Sequence, residues 1–153
     1  MASRREQIKM TPDEVDTFLA GRRTMNVATL GPTGHPHLVA MWYGFFDGAP
    51  AFWTFAKSQK ILNLQRDPRI TALVEEGDTY AELRGVELVG TAEIVSDHDA
   101  LMALGSSVAE RYTGPVTEEV LPFIEAQAAK RLGVVLRIDH VVSWDHTKLA
   151  GGY

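Results

Sequence analysis

Hydrophobic positions along the chain change period several times, and the changes mark out its elements. Residues 1–10 are polar and predict a loose N-terminus. Thr11-Pro12-Asp13-Glu14 carries a capping threonine, a proline suited to the first helical position and a glutamate that completes a capping box. Val15, Phe18 and Leu19 follow at helical spacing, and Gly21 can end that helix. From residue 24 the period shortens to two. Met25–Leu30 reads as a strand, Gly31-Pro32-Thr33-Gly34 as a turn, and 37–46 as an aromatic strand. Asp47-Gly48-Ala49-Pro50 is a second turn, and 51–56 a third strand.

Ser58 is placed to cap a short helix over 59–67, with Ile61 and Leu64 on one face and Pro68 just past its end. Residues 70–75 predict a strand and Glu76-Gly77-Asp78 a turn. Residues 80–83 and 88–95 predict two further strands, joined through a bend at Gly85. A helix over 97–111 presents Leu101, Met102 and Leu104, and Gly114-Pro115 breaks it. Another helix opens at Thr117 and runs to about residue 131. Residues 132–144 form the last predicted strand, and 145–153 a tail.

Six or seven strands in consecutive runs, with four short helices, predict a mainly β fold: an antiparallel barrel with appended helices rather than a doubly wound sheet. The chain's 153 residues suit one domain, expected over 11–153 behind the flexible first ten residues. A net charge of −5 argues against a general nucleic-acid binder. With no cysteine, disulfides, thiolate metal sites and cysteine nucleophiles are excluded. No apolar run approaches the ~20 residues of a membrane span. The N-terminus lacks the apolar segment of a secretory signal, so the expectation is a cytoplasmic protein.

Neither a GxGxxG nor a GxxxxGK[ST] loop is present, and no GxSxG elbow or HExxH. His35 and His37 are two apart and could share a strand face, as a metal pair or simply in a solvated turn. In Asp139-His140 and Asp145-His146 the neighbours point to opposite strand faces, so no orienting pair is expected.

The richest segment is Phe52-Trp53-Thr54-Phe55-Ala56-Lys57-Ser58-Gln59-Lys60-Ile61-Leu62-Asn63-Leu64-Gln65-Arg66-Asp67-Pro68-Arg69. A strand ends at Lys57 and a helix begins at Ser58, so unpaired N–H groups and the positive end of a helix dipole meet two lysines and a hydroxyl. That suits a phosphate, on a surface that is acidic elsewhere. It also suits an ordinary serine-capped helix with solvated lysines. In the aromatic strand, alternation sets Met41, Tyr43 and Phe45 on one face and Trp42 and Phe46 on the other. Either face could lie against a planar ring, or against a barrel core and a partner chain.

The order strand, GxPH-type turn, aromatic strand, FWTFAKSQKILNLQRDPR, strand resembles the pyridoxamine 5′-phosphate oxidase-like split β-barrel superfamily, the FMN-binding split-barrel type. Ser143-Trp144-Asp145-His146-Thr147-Lys148-Leu149 is similar to its F420-dependent members. The resemblance implies that Thr54, Lys57, Ser58 and Lys60 hold a cofactor phosphate with Asn63 nearby. It implies that Val39, Ala40, Met41 and Trp42 line the flavin-like ring. It further implies a homodimer with the cofactor at the interface. The flavin oxidases of this group commonly read Ser-Arg-Lys where this chain reads Ser58-Gln59-Lys60, so one arginine fork is missing and coenzyme F420 is favoured over FMN. Lys60, Arg66 and Arg69 offer a basic track for the F420 polyglutamate tail. The implied activity is an F420H2-dependent reductase passing a hydride to a small unsaturated or quinone-like substrate. The alternatives are an FMN-dependent oxidoreductase and a non-catalytic flavin-, haem- or bilin-binding protein. Tyr43, Tyr112 and His140 are proton-donor candidates by residue type alone. Trp144 is expected in core or interface, Lys148 in a solvated tail, and Arg111 at its own helix C-terminus.

Overall fold

In the computed structural model, which describes residues 1–21 and 24–149, the period-two segments form seven strands. These are β1 Met25–Leu30, β2 Pro36–Met41, β3 Gly44–Phe46, β4 Ala49–Phe55, β5 Arg69–Glu76, β6 Arg84–Val95 and β7 Arg131–Asp145. Five α-helices accompany them: α1 Arg4–Ile8, α2 Pro12–Ala20, α3 Gln59–Arg66, α4 His98–Tyr112 and α5 Leu121–Ala128. All strand pairs are antiparallel, in the order β2-β1-β5-β6-β7-β4-β3.

That order forces the shape. A flat sheet of seven strands would hold its edges about 29 Å apart, at ~4.8 Å per strand. The edge strands β2 and β3 are joined by Trp42 and Tyr43 alone. Three residues reach only about 10 Å, so the sheet curls until its edges meet, as a half-barrel. The same two residues interrupt what the alternation predicts as one strand over 37–46. The alternation itself survives the break: Tyr43 is fully buried in the main core, with Met41 and Phe45 packed against it, whereas Trp42 is 51% exposed.

The barrel interior is filled by Met25, Val27, Phe52, Val74, Val86 and Leu88 from the strands, closed by Phe18 and Leu19 of α2 and Ile61 and Leu64 of α3. A second cluster, Ala51, Val135, Leu104, Val108 and Tyr112, seats α4 on the outer face of the sheet. The β3–β4 turn needs positive φ at Asp47 (48°) and Gly48 (79°), the conformation of a tight hairpin. β7 carries one extra residue, Asp139, between the pairs Val89–His140 and Gly90–Ile138. A Cβ on Gly90 would stand 2.0 Å from the Arg137 carbonyl oxygen, so this bulge requires the glycine.

Several expectations are corrected. Residues 1–10 are not wholly loose: Ser3 and Glu6 form a capping box for α1, and Met10 is 5% exposed. Residues 80–82 form a 3₁₀ turn rather than a strand, with a Thr79–Glu82 capping box. Gly85 makes no bend; it lies inside β6 and gives Trp144 its seat, since a Cβ there would meet the indole at 2.2 Å. The helix expected from Thr117 begins only at Leu121. The tail opens as a 3₁₀ turn, His146–Lys148, and Lys148 bonds Glu14 (2.5 Å) and the Lys9 carbonyl (2.9 Å) instead of standing in solvent. The rest of the expected tail, 150–153, lies outside the described residues.

Candidate functional site

β4 carries two kinds of chemistry on its two faces. Thr54 points inward and is 5% exposed, while its neighbour Trp53 points outward toward α4. From Thr54 the chain turns through Ala56 and Lys57 into α3, which brings Ser58 and Lys60 back beneath the strand end. Lys60 Nζ donates to Thr54 Oγ1 (2.9 Å), and the Thr54 hydroxyl donates on to Ser58 Oγ (3.5 Å).

Ser58 is the N-cap residue of α3, yet its side chain makes no capping bond. Its hydroxyl proton and the first N–H groups of the helix therefore remain available to a ligand. Lys60 is half-buried, and burial pushes its pKa below the usual lysine range. Among the described residues no carboxylate pairs with it. A buried cation without a counter-charge is costly, and a bound anion removes that cost. Lys57 stands exposed beside this group. Thr54, Lys57, Ser58 and Lys60 are thus brought to one end of the barrel.

Asn63 lies one turn further along α3 and does different work. It is fully buried, donates to Thr29 Oγ1 (3.0 Å) and accepts from Gln59 Nε2 (2.8 Å). It ties α3 to β1, and its amide is engaged by Thr29 and Gln59. Arg66 is held by the Leu30 carbonyl, and Arg69 clasps Asp67, whose carboxyl the guanidinium holds down to about 2. Of the three residues expected as a basic track, Lys60 lies at the hydroxyl pair, Arg66 is exposed and Arg69 is paired with Asp67.

On β2, Val39 and Met41 turn inward against the core while Ala40 and Trp42 turn outward. Ala40, Met41 and Trp42 line one wall of a cleft of about 660 Å³, whose other walls are Trp53, α4 and α5. Trp42 stacks on Tyr112 with ring centroids 4.7 Å apart and planes 1° apart. Gly105 lets the Trp53 ring lie directly on α4, since a Cβ there would come within 2.4 Å of it. Val39 does not line this cleft, and neither does the Thr54–Ser58–Lys60 group.

Three residues around this cleft carry no assignment from the sequence: Trp53, Gly105 and Arg131 at the start of β7, whose guanidinium lies 5.2 Å from the Trp53 ring centroid. Trp53 was legible from its alternation with Thr54. Gly105 and Arg131 gave no signal, because their meaning lies in tertiary contacts. The donor candidates are placed elsewhere: the Tyr43 hydroxyl donates to the Leu19 carbonyl (2.6 Å), Tyr112 accepts from the Tyr43 N–H (3.4 Å), and His140 is exposed on β7. Among the described residues no group of three or more metal-ligating side chains forms, and no helix is long and apolar enough to cross a membrane.

A family model for pyridoxamine 5′-phosphate oxidase matches residues 11–145. Comparison with curated proteins finds no match. Among solved structures, the conserved hypothetical protein Rv2991 from Mycobacterium tuberculosis is 46% identical, with 99% of this chain and 98% of that one covered and a TM-score of 0.92. An F420 reductase is 28% identical over 82% of this chain and 94% of its own, with a TM-score of 0.66. A heme binding protein from Mycobacterium smegmatis, 20% identical, shares the fold over 97% of this chain and 60% of its own, with a TM-score of 0.63.

Proposed function

The chain belongs to the pyridoxamine 5′-phosphate oxidase family, and on that premise we propose that it is an F420H2-dependent reductase of a small unsaturated or quinone-like substrate. One observation carries the reading most: Lys60 is drawn in beside two hydroxyls and a helix start, and among the described residues no carboxylate neutralises it. That donor set fits a phosphate, which accepts from ammonium, hydroxyl and backbone N–H groups together. The likeness to an F420 reductase at 28% identity supports the deazaflavin over other phosphate-bearing cofactors.

Bound there, reduced F420 supplies a hydride, and the protein supplies position and dryness. Thr54, Ser58 and Lys60 fix the phosphate, with Lys57 at the rim. Ala40, Met41 and Trp42 orient the ring along β2, with Val39 behind them in the core. The Tyr112 ring stacked on Trp42 keeps that indole from rotating into the site. Gln59 stands where an FMN oxidase carries arginine, and its amide is taken up by Asn63, which disfavours FMN. The homodimer belongs to the same proposal, with Ile138 and Val141 of β7 as exposed apolar side chains for a partner to cover. Light scattering at the mass of two chains would agree with it, and the mass of one chain would end it.

Titration of the purified protein with F420 and with FMN, read by cofactor fluorescence, tests the reading. Tight F420 binding, weak FMN binding and loss of both in Lys60→Ala are expected. Tight FMN binding without F420 binding would overturn the deazaflavin assignment. Binding of haem in place of either would move the protein to the non-catalytic binders.

A further inference from the structure

The cleft between β4 and the helices has a chemistry of its own. Its walls are the rings of Trp42, Trp53 and Phe123, and Phe123 is 70% exposed although it is apolar. Trp42 and Trp53 are held in place by Tyr112 and Gly105 respectively. The single charged residue among the described lining residues is Arg131. Its guanidinium lies 5.2 Å from the Trp53 ring centroid and 4.5 Å from that of Phe55, and it donates to the Gln127 carbonyl at 3.3 Å. Among the described residues no carboxylate pairs with it, on a chain whose net charge is −5. Burial disfavours its charged form, as it does for Lys60. An apolar slot with one uncompensated cation recognises a flat molecule that carries one negative charge.

We propose that the Trp53–Phe123 side of this cleft binds a planar aromatic acid, its ring against Trp53 and Phe123 and its carboxylate on Arg131, next to the Trp42 face proposed above for the cofactor ring. That this ligand is the reductase's substrate rests on the function proposed above; that the cleft binds it does not. Arg131 is then the residue that selects for the acid, in a place separate from the phosphate group at Lys60.

Calorimetric titration of the cofactor-free protein with 2-naphthoate and with its uncharged amide, 2-naphthamide, tests this. The acid is expected to bind at least tenfold more tightly than the amide. Arg131→Gln should bring the two to equal affinity, and Arg131→Lys should restore part of the preference. Phe123→Ala, a change at an exposed position, should weaken both ligands alike. Lys60→Ala should leave naphthoate binding unchanged while F420 binding falls, so failure of the cofactor reading and failure of this one give different results. Equal affinity of acid and amide for the unaltered protein would overturn the proposal, and so would a preference that survives Arg131→Gln. Absence of naphthoate binding, with Phe123→Ala converting a dimer to monomer, would assign the cleft to self-association instead.

Discussion

Arg111 and Lys60 are both basic side chains drawn in from the surface, one near the end of α4 and the other in the first turn of α3. Arg111 spreads its donors over four carbonyls, those of Tyr43 (2.9 Å), Ala20 (3.1 Å), Leu19 (3.3 Å) and Gly21 (2.9 Å). Its plane also lies over the rings of Tyr43 (4.6 Å) and Phe45 (5.0 Å). It closes the C-terminal end of α2, where the last carbonyls have no helical partner and carry the negative end of the dipole. Lys60 has one neutral acceptor, Thr54. A cation that holds the fold finds its acceptors in its own chain, whereas one left short of acceptors is poised for a ligand, at some cost to stability.

Removing the saturated cation is the most damaging way to probe this contrast. Arg111→Ala should lower unfolding stability by about 3 kcal/mol or more, since charge-assisted bonds are lost and buried carbonyls are orphaned. A shift of the urea midpoint at constant slope would show it, with F420 affinity of the folded protein retained. Asn63→Ala should cost about 2 kcal/mol by the same measurement, because Thr29 loses its partner and α3 its tie to β1. Gly105→Ala should cost roughly 1 kcal/mol, the ~1 kcal/mol gained in helix propensity being outweighed by pressing a methyl into Trp53. Near-ultraviolet circular dichroism should report the displaced indole.

The smallest effect concerns pH. His98 of α4 bonds Glu125 of α5 at 2.6 Å, and that bond, with a lesser contribution from Asp99, raises the imidazole pKa. Its contribution to stability is complete below the unfolded value near 6.5 and is lost as pH rises through the higher folded value. Melting temperature should therefore fall slightly between about pH 6 and pH 8. His98→Gln should remove that dependence, and an unchanged pH profile in the variant would assign it to other groups.

Local chemistry made much of the fold legible. The α2 capping box, the Asp47-Gly48 turn, the amphipathic α3 and the strands β1, β5 and β7 follow from residue type and spacing alone. α1 and the 3₁₀ turn at Tyr80 carry the same kind of signal, Ser-x-x-Glu and Thr-x-x-Glu, which a polar tail and a short apolar run concealed. The meeting of Thr54, Ser58 and Lys60 was legible because strand, turn and helix follow one another directly within seven residues. The roles of Arg66, Arg111 and Lys148 were not, because their acceptors lie on elements remote in sequence. The interruption at Trp42 and Tyr43 is a property of sheet closure, which no local pattern encodes.

Lys60→Met separates the two roles a half-buried lysine can play, with stability and cofactor affinity measured on the same preparation. The unfolding midpoint should equal or exceed that of the unaltered protein, because a desolvated charge is gone. F420 binding should weaken by about tenfold or more, the worth of one charge-assisted bond to phosphate. A less stable protein that binds F420 unchanged would contradict both expectations, and would make Lys60 a part of the fold as Arg111 is.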